Sequence, residues 1–116
     1  YPNKIGRWAV HLKSSNEFIG WCGLKFIEEL NEIDLGYRFF EEHWGKGYAT
    51  ESAKACLAYG FNDREMKEIV GRAAIDNTNS VKVLEKVGMK FEKEAIEHGD
   101  KVYKYRLTAA QYRSEF

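Results

Sequence analysis

Little in this sequence points to a specialised class of protein. The chain has one proline and two cysteines in 116 residues, and no low-complexity stretch or internal repeat. Disordered, collagen-like and disulfide-stapled chains are therefore excluded. Cys22 and Cys56 lie far apart in the sequence without a C-x-x-C spacing, so we expect two structural thiols in a reducing compartment.

An excess of one charge and long apolar runs are also missing. The 18 basic residues equal the 18 acidic ones and are interspersed with them, so no basic stripe is present for a nucleic-acid backbone. No apolar run is long enough to cross a bilayer, and no secretory leader precedes the first periodic segment. We therefore expect a cytoplasmic protein without nucleic-acid or membrane partners.

Two kinds of reactive motif are absent as well. No histidine stands at a metal-ligand spacing from another histidine, a cysteine or a carboxylate, so no metal is predicted. No Gly-x-Ser-x-Gly elbow and no Cys-His pairing point to a covalent nucleophile.

The apolar residues that are present suffice for one domain spanning residues 1–116. Hydrophobic residues make up 44% of the chain and aromatic residues 15%, which supplies a core at this length. Alternation of apolar and polar residues predicts strands over 7–13 and 33–40, and an apolar stretch rich in β-branched and aromatic residues predicts another over 18–27. The short connections between them predict an antiparallel meander.

Helical periodicity begins after the third strand. Small and apolar residues recur from Ala49 to Gly60 at the spacing of a helix face, which predicts about four turns of helix. A strand, a short helix and a final pair of strands follow, over 68–75, 81–87, 89–93 and 101–107. The tail from Thr108 is interpreted as a frayed helical turn. The fold class is α+β, with a mixed, mostly antiparallel sheet and two helices.

Two glycines stand between the third strand and the first helix, in Trp44-Gly45-Lys46-Gly47-Tyr48-Ala49-Thr50-Glu51. Glycine lets the backbone approach a ligand, and a helix start offers unpaired N–H groups at the positive end of its dipole. This arrangement binds phosphate groups, although an ordinary strand-to-helix turn explains the same glycines.

Two known phosphate motifs do not fit. A P-loop requires Ser or Thr after the lysine, whereas Gly47 follows Lys46. A dinucleotide fingerprint requires a third glycine where Thr50 stands, and a parallel βαβ unit, whereas the preceding strands are joined by turns too short for crossovers. A nucleotide or dinucleotide binder is therefore the weaker alternative.

Three blocks in order resemble the GNAT superfamily of N-acetyltransferases, and most of all the subgroup that acts like the ribosomal-protein N-terminal acetyltransferases. The blocks are Asp34-Leu35-Gly36-Tyr37-Arg38, the glycine segment 44–51, and Asn77-Thr78-Asn79-Ser80 followed by Leu84-Glu85-Lys86-Val87-Gly88-Met89. The resemblance spans about Ile19 to Leu107. Gly47 and Ala49 match the family's glycine pattern, while Trp44 stands where Gln or Arg is commonest.

The resemblance implies acetyl-CoA as the cosubstrate and an amine as the acceptor. The pyrophosphate would lie against backbone N–H groups of 45–50, and the pantetheine arm between the strands that carry Tyr37 and Ala73. For Asn77, a plain turn residue is the other interpretation. The implied cofactor-binding residues are Tyr37, Arg38, Phe39, Trp44, Gly45, Lys46, Gly47, Tyr48, Ala49, Thr50, Asn77 and Ser80.

The resemblance also implies direct attack of a neutral amine on the thioester carbon. Because a lysine amine has a pKa of about 10.4, a base must take its proton. Asp34 is the first candidate, since it stands where the subgroup usually has Glu, although an ion-paired surface carboxylate explains it too. The other candidates are Glu28, Glu29, Glu51, His43 and His98.

Two further groups would complete this chemistry. Many relatives supply a tyrosine seven positions after Asn77 to protonate the leaving thiolate, but Leu84 stands there, so Ser80 becomes the candidate, with helix capping as the other interpretation. A backbone N–H at a strand bulge near Tyr37 and Arg38 would hold the oxyanion.

Relatives of this kind usually carry a strand and two helices before the segment that begins here at Arg7, so we expect an N-terminally truncated form. An apolar face left exposed where those helices pack would favour a homodimer. The leading hypothesis is an acetyl-CoA-dependent N-acetyltransferase. The alternatives are a non-catalytic CoA-binding or interaction module and the nucleotide or dinucleotide binder.

Overall fold

The computed structural model describes residues 7–115, which form a six-stranded sheet with α1 and α2 packed on one of its faces. The strands are β1 (Arg7–His11), β2 (Phe18–Ile27), β3 (Glu32–Phe39), β4 (Glu68–Ala74), β5 (Lys90–Glu97) and β6 (Asp100–Thr108). The helices are α1 (Tyr48–Ala58), α2 (Thr78–Lys86) and α3 (Ala109–Glu115). No helix in this part of the chain is long and apolar enough to span a bilayer.

The strand order is β1-β2-β3-β4-β6-β5, and only β3 and β4 run parallel. This confirms the mixed, mostly antiparallel sheet that the short connections and the order of the elements predict. The parallel ladder contains just two residue pairs, Asp34 with Val70 and Leu35 with Gly71. Both strands continue beyond these pairs without further pairing to each other, so a gap opens between them.

The core lies between the sheet and the two larger helices. Because opposed residues of paired strands share a face, one face of the sheet is apolar and carries the buried leucines of β2, β3 and β6. Gly71 allows α2 to pack closely on β4, since a Cβ at this position would lie 2.8 Å from Leu84 Cδ2. The most buried large side chains include Ile19, Leu24, Leu35, Leu57, Ile69, Leu84 and Leu107.

The first helix follows its predicted periodicity. α1 begins at Tyr48, one residue before the predicted start, and after Ala58 the chain continues as one wider π-helical turn over Tyr59–Asp63. Cys56 on α1 faces Cys22 on β2, with the two Sγ atoms 3.5 Å apart and no disulfide between them. Distant in the sequence, the two buried thiols are neighbours in the core.

The predicted number of two helices is wrong for the described residues, because the tail folds into α3. Thr108 and Gln111 form a reciprocal cap: the Gln111 N–H donates to Thr108 Oγ1 at 3.1 Å, and the Thr108 N–H donates to Gln111 Oε1 at 2.9 Å. Tyr112 then stacks on Phe61 with ring centroids 4.8 Å apart. The cap and the stacked rings fix a segment that we predict as frayed.

Candidate functional site

An open cavity of about 740 Å³ lies beside the end of β3 that no longer pairs with β4, and no described residue of β4 is in its lining. The end of β3, the loop before α1, the first turn of α1 and one side of α2 form its walls. Of the predicted cofactor-binding residues, the cavity is lined by Tyr37, Arg38, Phe39, Trp44, Gly45, Gly47, Tyr48, Ala49, Thr50, Asn77 and Ser80. The structure thus brings the three sequence blocks to one place, with Lys46 outside the lining.

The start of α1 opens into this cavity. Gly47 caps the helix with a φ of 84°, and Gly45 has a φ of 77°, a left-handed backbone region that favours glycine. The first intrahelical bond runs from the Glu51 N–H to the Gly47 carbonyl at 3.0 Å. The N–H groups of residues 48–50 precede that bond and have no acceptor among the described residues. They can therefore donate to an anion.

A tryptophan holds the glycine loop against the end of β3. Trp44 Nε1 donates to the carbonyl oxygen of Phe39 at 2.8 Å. A single turn of 3₁₀ helix, Glu41–His43, connects the strand to this contact. The loop is thereby placed beside the unpaired end of β3, where the cavity begins.

The start of α2 forms the opposite wall. The Asn77 side chain caps this helix, because its Oδ1 accepts from the Ser80 N–H at 3.2 Å. The helix begins at Thr78, so Asn77 and not Ser80 is the capping residue. Tyr37 on β3 donates its hydroxyl to the Ser80 carbonyl at 2.8 Å and so ties β3 to α2. Burial raises the pKa of Tyr37 above its usual range, which keeps this hydroxyl protonated.

Asp34 does not line the cavity. It lies at the first of the two paired positions of β3 and β4, immediately before these strands separate, on the face of the sheet opposite α1 and α2. Its Oδ1 accepts from Arg72 Nη1 at 3.0 Å. Among the other candidate bases, His43 lines the cavity, while Glu28, Glu29, Glu51 and His98 do not.

Asp34 belongs to a group of ion pairs on this open face, which we call the seam cluster. Its members are Arg72, Lys104, Arg106, Glu32, Asp34, Glu68, Glu92 and Glu97. Arg72 on β4 donates to Glu32 Oε1 on β3 at 2.7 Å and to Glu97 Oε2 on β5 at 2.7 Å. These bonds raise the pKa of Arg72 despite its burial, so the guanidinium stays charged.

Glu32 is the carboxylate on which three cations of the seam cluster converge. Besides Arg72, Lys104 Nζ donates to Glu32 Oε2 at 2.6 Å, and Arg106 Nη2 donates to the same oxygen at 3.0 Å. Burial alone would raise the pKa of Glu32, but the bonds from Lys104, Arg72 and Arg106 lower it to about 2. The cations come from β4 and β6, so the cluster links β3 to the other half of the sheet.

The bulge predicted near Tyr37 and Arg38 is absent. The register of β2 and β3 runs without a shift from Gly20 opposite Phe39 to Ile27 opposite Glu32. The separation from β4 exposes the backbone of this part of β3 instead. A carbonyl oxygen in the cavity could reach an N–H there without a bulge.

The prediction that no parallel βαβ unit surrounds the two glycines is wrong. β3, α1 and β4 do form a parallel βαβ unit, because α1 lies in the crossover between the two strands. The short turns earlier in the meander do not bear on this connection. The objection that Thr50 replaces the third glycine stands.

Glu17, Glu42 and His43 lie together outside the glycine loop, with ligand-type atoms within 4.8 Å of one another. Glu17 and Glu42 are exposed, and His43 Nε2 lies 3.3 Å from Glu17 Oε2. The His43–Glu17 contact accounts for this approach, so we assign no ion to the group. Glu17 precedes β2, far from Glu42 and His43 in the sequence, so no local spacing could predict that these three residues lie together.

Sequence reasoning missed the lining residues on α2 beyond its first turn. Lys82, Val83 and Lys86 line the cavity, and so do Phe40, Glu41 and Asn79. The spacing of Lys82 and Lys86, four residues apart, would have placed them on one side of the predicted helix. This spacing of the two lysines is visible in the sequence.

An α+β sheet with a cavity beside the unpaired end of β3, and a glycine-led helix start at its mouth, defines a domain that can bind an anionic ligand. The sequence profile described as an acetyltransferase (GNAT) domain matches residues 1–90. The chain therefore belongs to the GNAT acetyltransferase family, whose members use acetyl-CoA.

A curated relative and a solved structure both match most of the chain. The chain is 40% identical to the uncharacterized protein YkkB of Bacillus subtilis over 91 residues, which cover 77% of this chain and 53% of YkkB. A GNAT-family acetyltransferase structure from Bacillus anthracis matches with a TM-score of 0.81 and 29% identity, covering 90% of this chain and 66% of that one. The chain spans about half the length of the curated relatives it matches.

A further solved structure has the same fold. A ribosomal-protein-S5-alanine acetyltransferase from Vibrio fischeri matches with a TM-score of 0.84 and 19% identity, covering 96% of this chain and 65% of that one. At this identity the match shows a shared fold.

Proposed function

We propose that this chain transfers the acetyl group of acetyl-CoA to a primary amine, either a protein N-terminus or a small-molecule amine. One observation carries the proposal: the end of β3, which no longer pairs with β4, and the glycine-led start of α1 line the same cavity. The gap offers an unpaired strand edge for an extended arm, and the helix start offers N–H donors for phosphates.

The cavity fits the parts of acetyl-CoA in order. The diphosphate would accept hydrogen bonds from the backbone of 45–50, and the pantetheine arm would lie along β3 at Tyr37 to Phe39. The thioester would then reach the point where the strands meet. The Asp34–Val70 and Leu35–Gly71 pairs close the gap there, so they limit how deep the arm can go.

In the proposed reaction, the amine nitrogen attacks the thioester carbon from the open face of the sheet. Asp34 takes the proton from the amine, because its carboxylate lies on that face beside the meeting point of the strands. The C–N bond forms, the C–S bond breaks, and the thiolate of CoA takes a proton from the Ser80 hydroxyl, which bulk water reprotonates. Ser80 lines the cavity on the side opposite β3.

A non-catalytic CoA-binding module is the second candidate. Two observations favour it: Arg72 holds Asp34 Oδ1, and a fully buried Leu84 stands where many relatives have the tyrosine acid. Binding of acetyl-CoA without release of the CoA thiol, whichever amine is supplied, would support this candidate over the enzyme.

We further propose a cytoplasmic location and a homodimer. Two buried thiols without a disulfide fit a reducing compartment. The edge strand β5 exposes Phe91 and Ile96, which a second copy would cover. Sedimentation of the wild type and of Ile96→Glu would test the dimer, since only the wild type should sediment as two chains.

The experiment that tests the function is calorimetric titration with acetyl-CoA and, in parallel, with NAD. We expect the chain to bind acetyl-CoA and not NAD, and to release CoA thiol when a suitable amine is present. Gly47→Glu should weaken acetyl-CoA binding by about 100-fold or more, because it places a negative charge at the phosphate position.

Gly99→Glu is the matched control for this variant. Gly99 has a φ of 83° and open space around its Cβ position, as Gly47 has with a φ of 84°, but it lies in the β5–β6 turn. Both variants carry the same backbone strain and the same new charge. If Gly99→Glu lost binding equally, strain rather than the phosphate contact would explain the loss, and unchanged binding in Gly47→Glu would refute the phosphate site.

A further inference from the structure

Two lysines of α2 face the cavity without an acidic partner. Lys82 and Lys86 are exposed and line the cavity, and neither forms an ion pair or hydrogen bond with any described residue. Four residues apart on one helix, they present two positive charges on the same side. Their charges are therefore available to a ligand.

The nearest acidic residue on α2 turns the other way. Glu85 lies between the two lysines in sequence, and its Oε2 accepts from the Tyr105 hydroxyl on β6 at 3.0 Å. Glu41 is the one acidic residue in the lining, against three cations, Arg38, Lys82 and Lys86. The cavity is thus positive even without the N–H groups of α1.

The two lysines and the start of α1 lie on different walls. The backbone donors at 48–50 belong to α1, whereas Lys82 and Lys86 extend along α2 beyond its cap. A ligand with two separate anionic groups could place one on each wall. Coenzyme A has this character, because its diphosphate is separated by a ribose from a third phosphate at the 3′ position.

We infer that Lys82 and Lys86 bind the ribose 3′-phosphate of the cosubstrate and so select CoA thioesters over their 3′-dephospho counterparts. The inference rests on the proposed function, since it assumes that the diphosphate lies at the start of α1. An ammonium group serves a phosphate as a compact positive charge, and two such groups suit its double negative charge.

The experiment compares acetyl-CoA with 3′-dephospho-acetyl-CoA by calorimetry, on the wild type and on the double variant Lys82→Gln/Lys86→Gln. The wild type should bind acetyl-CoA about tenfold more tightly than the dephospho form. The double variant should lose this preference, and its affinity for the dephospho form should change by less than about twofold. Lys54→Gln, an exposed lysine of α1 outside the cavity lining, should keep the full preference.

The other outcomes separate the two proposals. Equal binding of both ligands by the wild type, or an equal loss for both in the double variant, overturns the 3′-phosphate assignment while the acetyl-CoA site stands. Failure of the wild type to bind either ligand overturns the proposed function and the inference with it. Far-ultraviolet circular dichroism of each variant checks that an exposed Lys→Gln change leaves the fold intact.

Discussion

The cations of the seam cluster and the cations of the cavity differ in what surrounds them. Arg72, Lys104 and Arg106 each contact two or more carboxylates, and the Lys104 side chain is only 9% exposed. Lys82 and Lys86 are exposed and have no carboxylate partner among the described residues. The seam-cluster cations, which are paired with carboxylates, stabilise the fold. The two cavity lysines, which have no such partner among the described residues, are available to a ligand.

The seam cluster lies where the backbone contributes least. β3 and β4 share two residue pairs, so few ladder hydrogen bonds join β1-β2-β3 to β4-β6-β5. Arg72, Lys104 and Arg106 reach Glu32 across that junction. Side-chain charges therefore supply cohesion at the strands that must separate to form the cavity.

Removing the central cation of the seam cluster should have the largest effect. Arg72→Met removes one cation from each of Glu32, Asp34 and Glu97, so we expect the free energy of unfolding to fall by about 3 kcal/mol. Urea denaturation measures this. Arg38→Met is the control, because Arg38 is an exposed, unpaired arginine of the cavity and should cost under about 0.5 kcal/mol. Equal losses of unfolding free energy in Arg72→Met and Arg38→Met would contradict the distinction between seam-cluster cations and cavity cations.

Asp34 tests whether a compensated charge can also act in catalysis. Asp34→Asn should lower the turnover of acetyl-CoA about 100-fold with an unchanged dissociation constant, because the amide cannot take a proton. Thiol release and calorimetry give the two quantities. Glu97→Gln is the control: it also loses a bond to Arg72, but it lies on β5 away from the meeting point of β3 and β4. Similar turnover in both variants would make Asp34 purely structural.

The pH dependence of stability sharpens the comparison further. The pKa of Glu32 is about 2 in the folded chain and 4.5 ordinarily, so its stabilisation is complete above pH 4.5 and is lost as the pH falls towards 2. We expect this carboxylate to contribute about 2 kcal/mol, after allowance for its partial exposure. Denaturation at pH 6 and pH 3 should show a smaller loss in Glu32→Gln than in the wild type. Parallel losses would contradict the assignment.

The cavity lysines should matter least to the fold. We expect Lys82→Gln/Lys86→Gln to change the free energy of unfolding without ligand by under about 0.5 kcal/mol, since no pair is broken. Thermal melts with and without acetyl-CoA measure this, and the ligand should raise the melting temperature less in the variant than in the wild type. A destabilised ligand-free variant would show that the lysines have structural partners.

Much of the fold is predictable because its signals are local. The apolar run places β2 correctly, alternation places β3 within one residue, and the small-residue spacing places α1 within one residue of its start. The family motifs lie in contiguous blocks, which is why most of their residues reach one cavity. The motif blocks lie on β3, at the start of α1 and on α2, and these three elements meet at the cavity.

The remaining features depend on contacts that no window of sequence contains. β5 continues to Glu97, beyond the predicted end at 93, because its pairing with β6 rather than an apolar face maintains it. The bonds of Arg72 to Glu32 and of Lys104 to Glu32 join residues 40 and 72 positions apart. For α3, by contrast, the Thr108-x-x-Gln111 cap was visible in the sequence and was overlooked.

The facing thiols of Cys22 and Cys56 can report the movement of α1 away from the sheet. Both are buried between β2 and α1, with their Sγ atoms 3.5 Å apart. Cys56 also borders an open surface pocket, whereas Cys22 is only 2% exposed, so a thiol reagent reaches Cys22 when α1 lifts from the sheet. The same helix presents the N–H groups of 48–50 to the cavity. The rate at which Cys22 is labelled therefore reports how often α1 opens. A bound ligand that slows this labelling stabilises α1 in its closed position, and the degree of slowing measures that stabilisation.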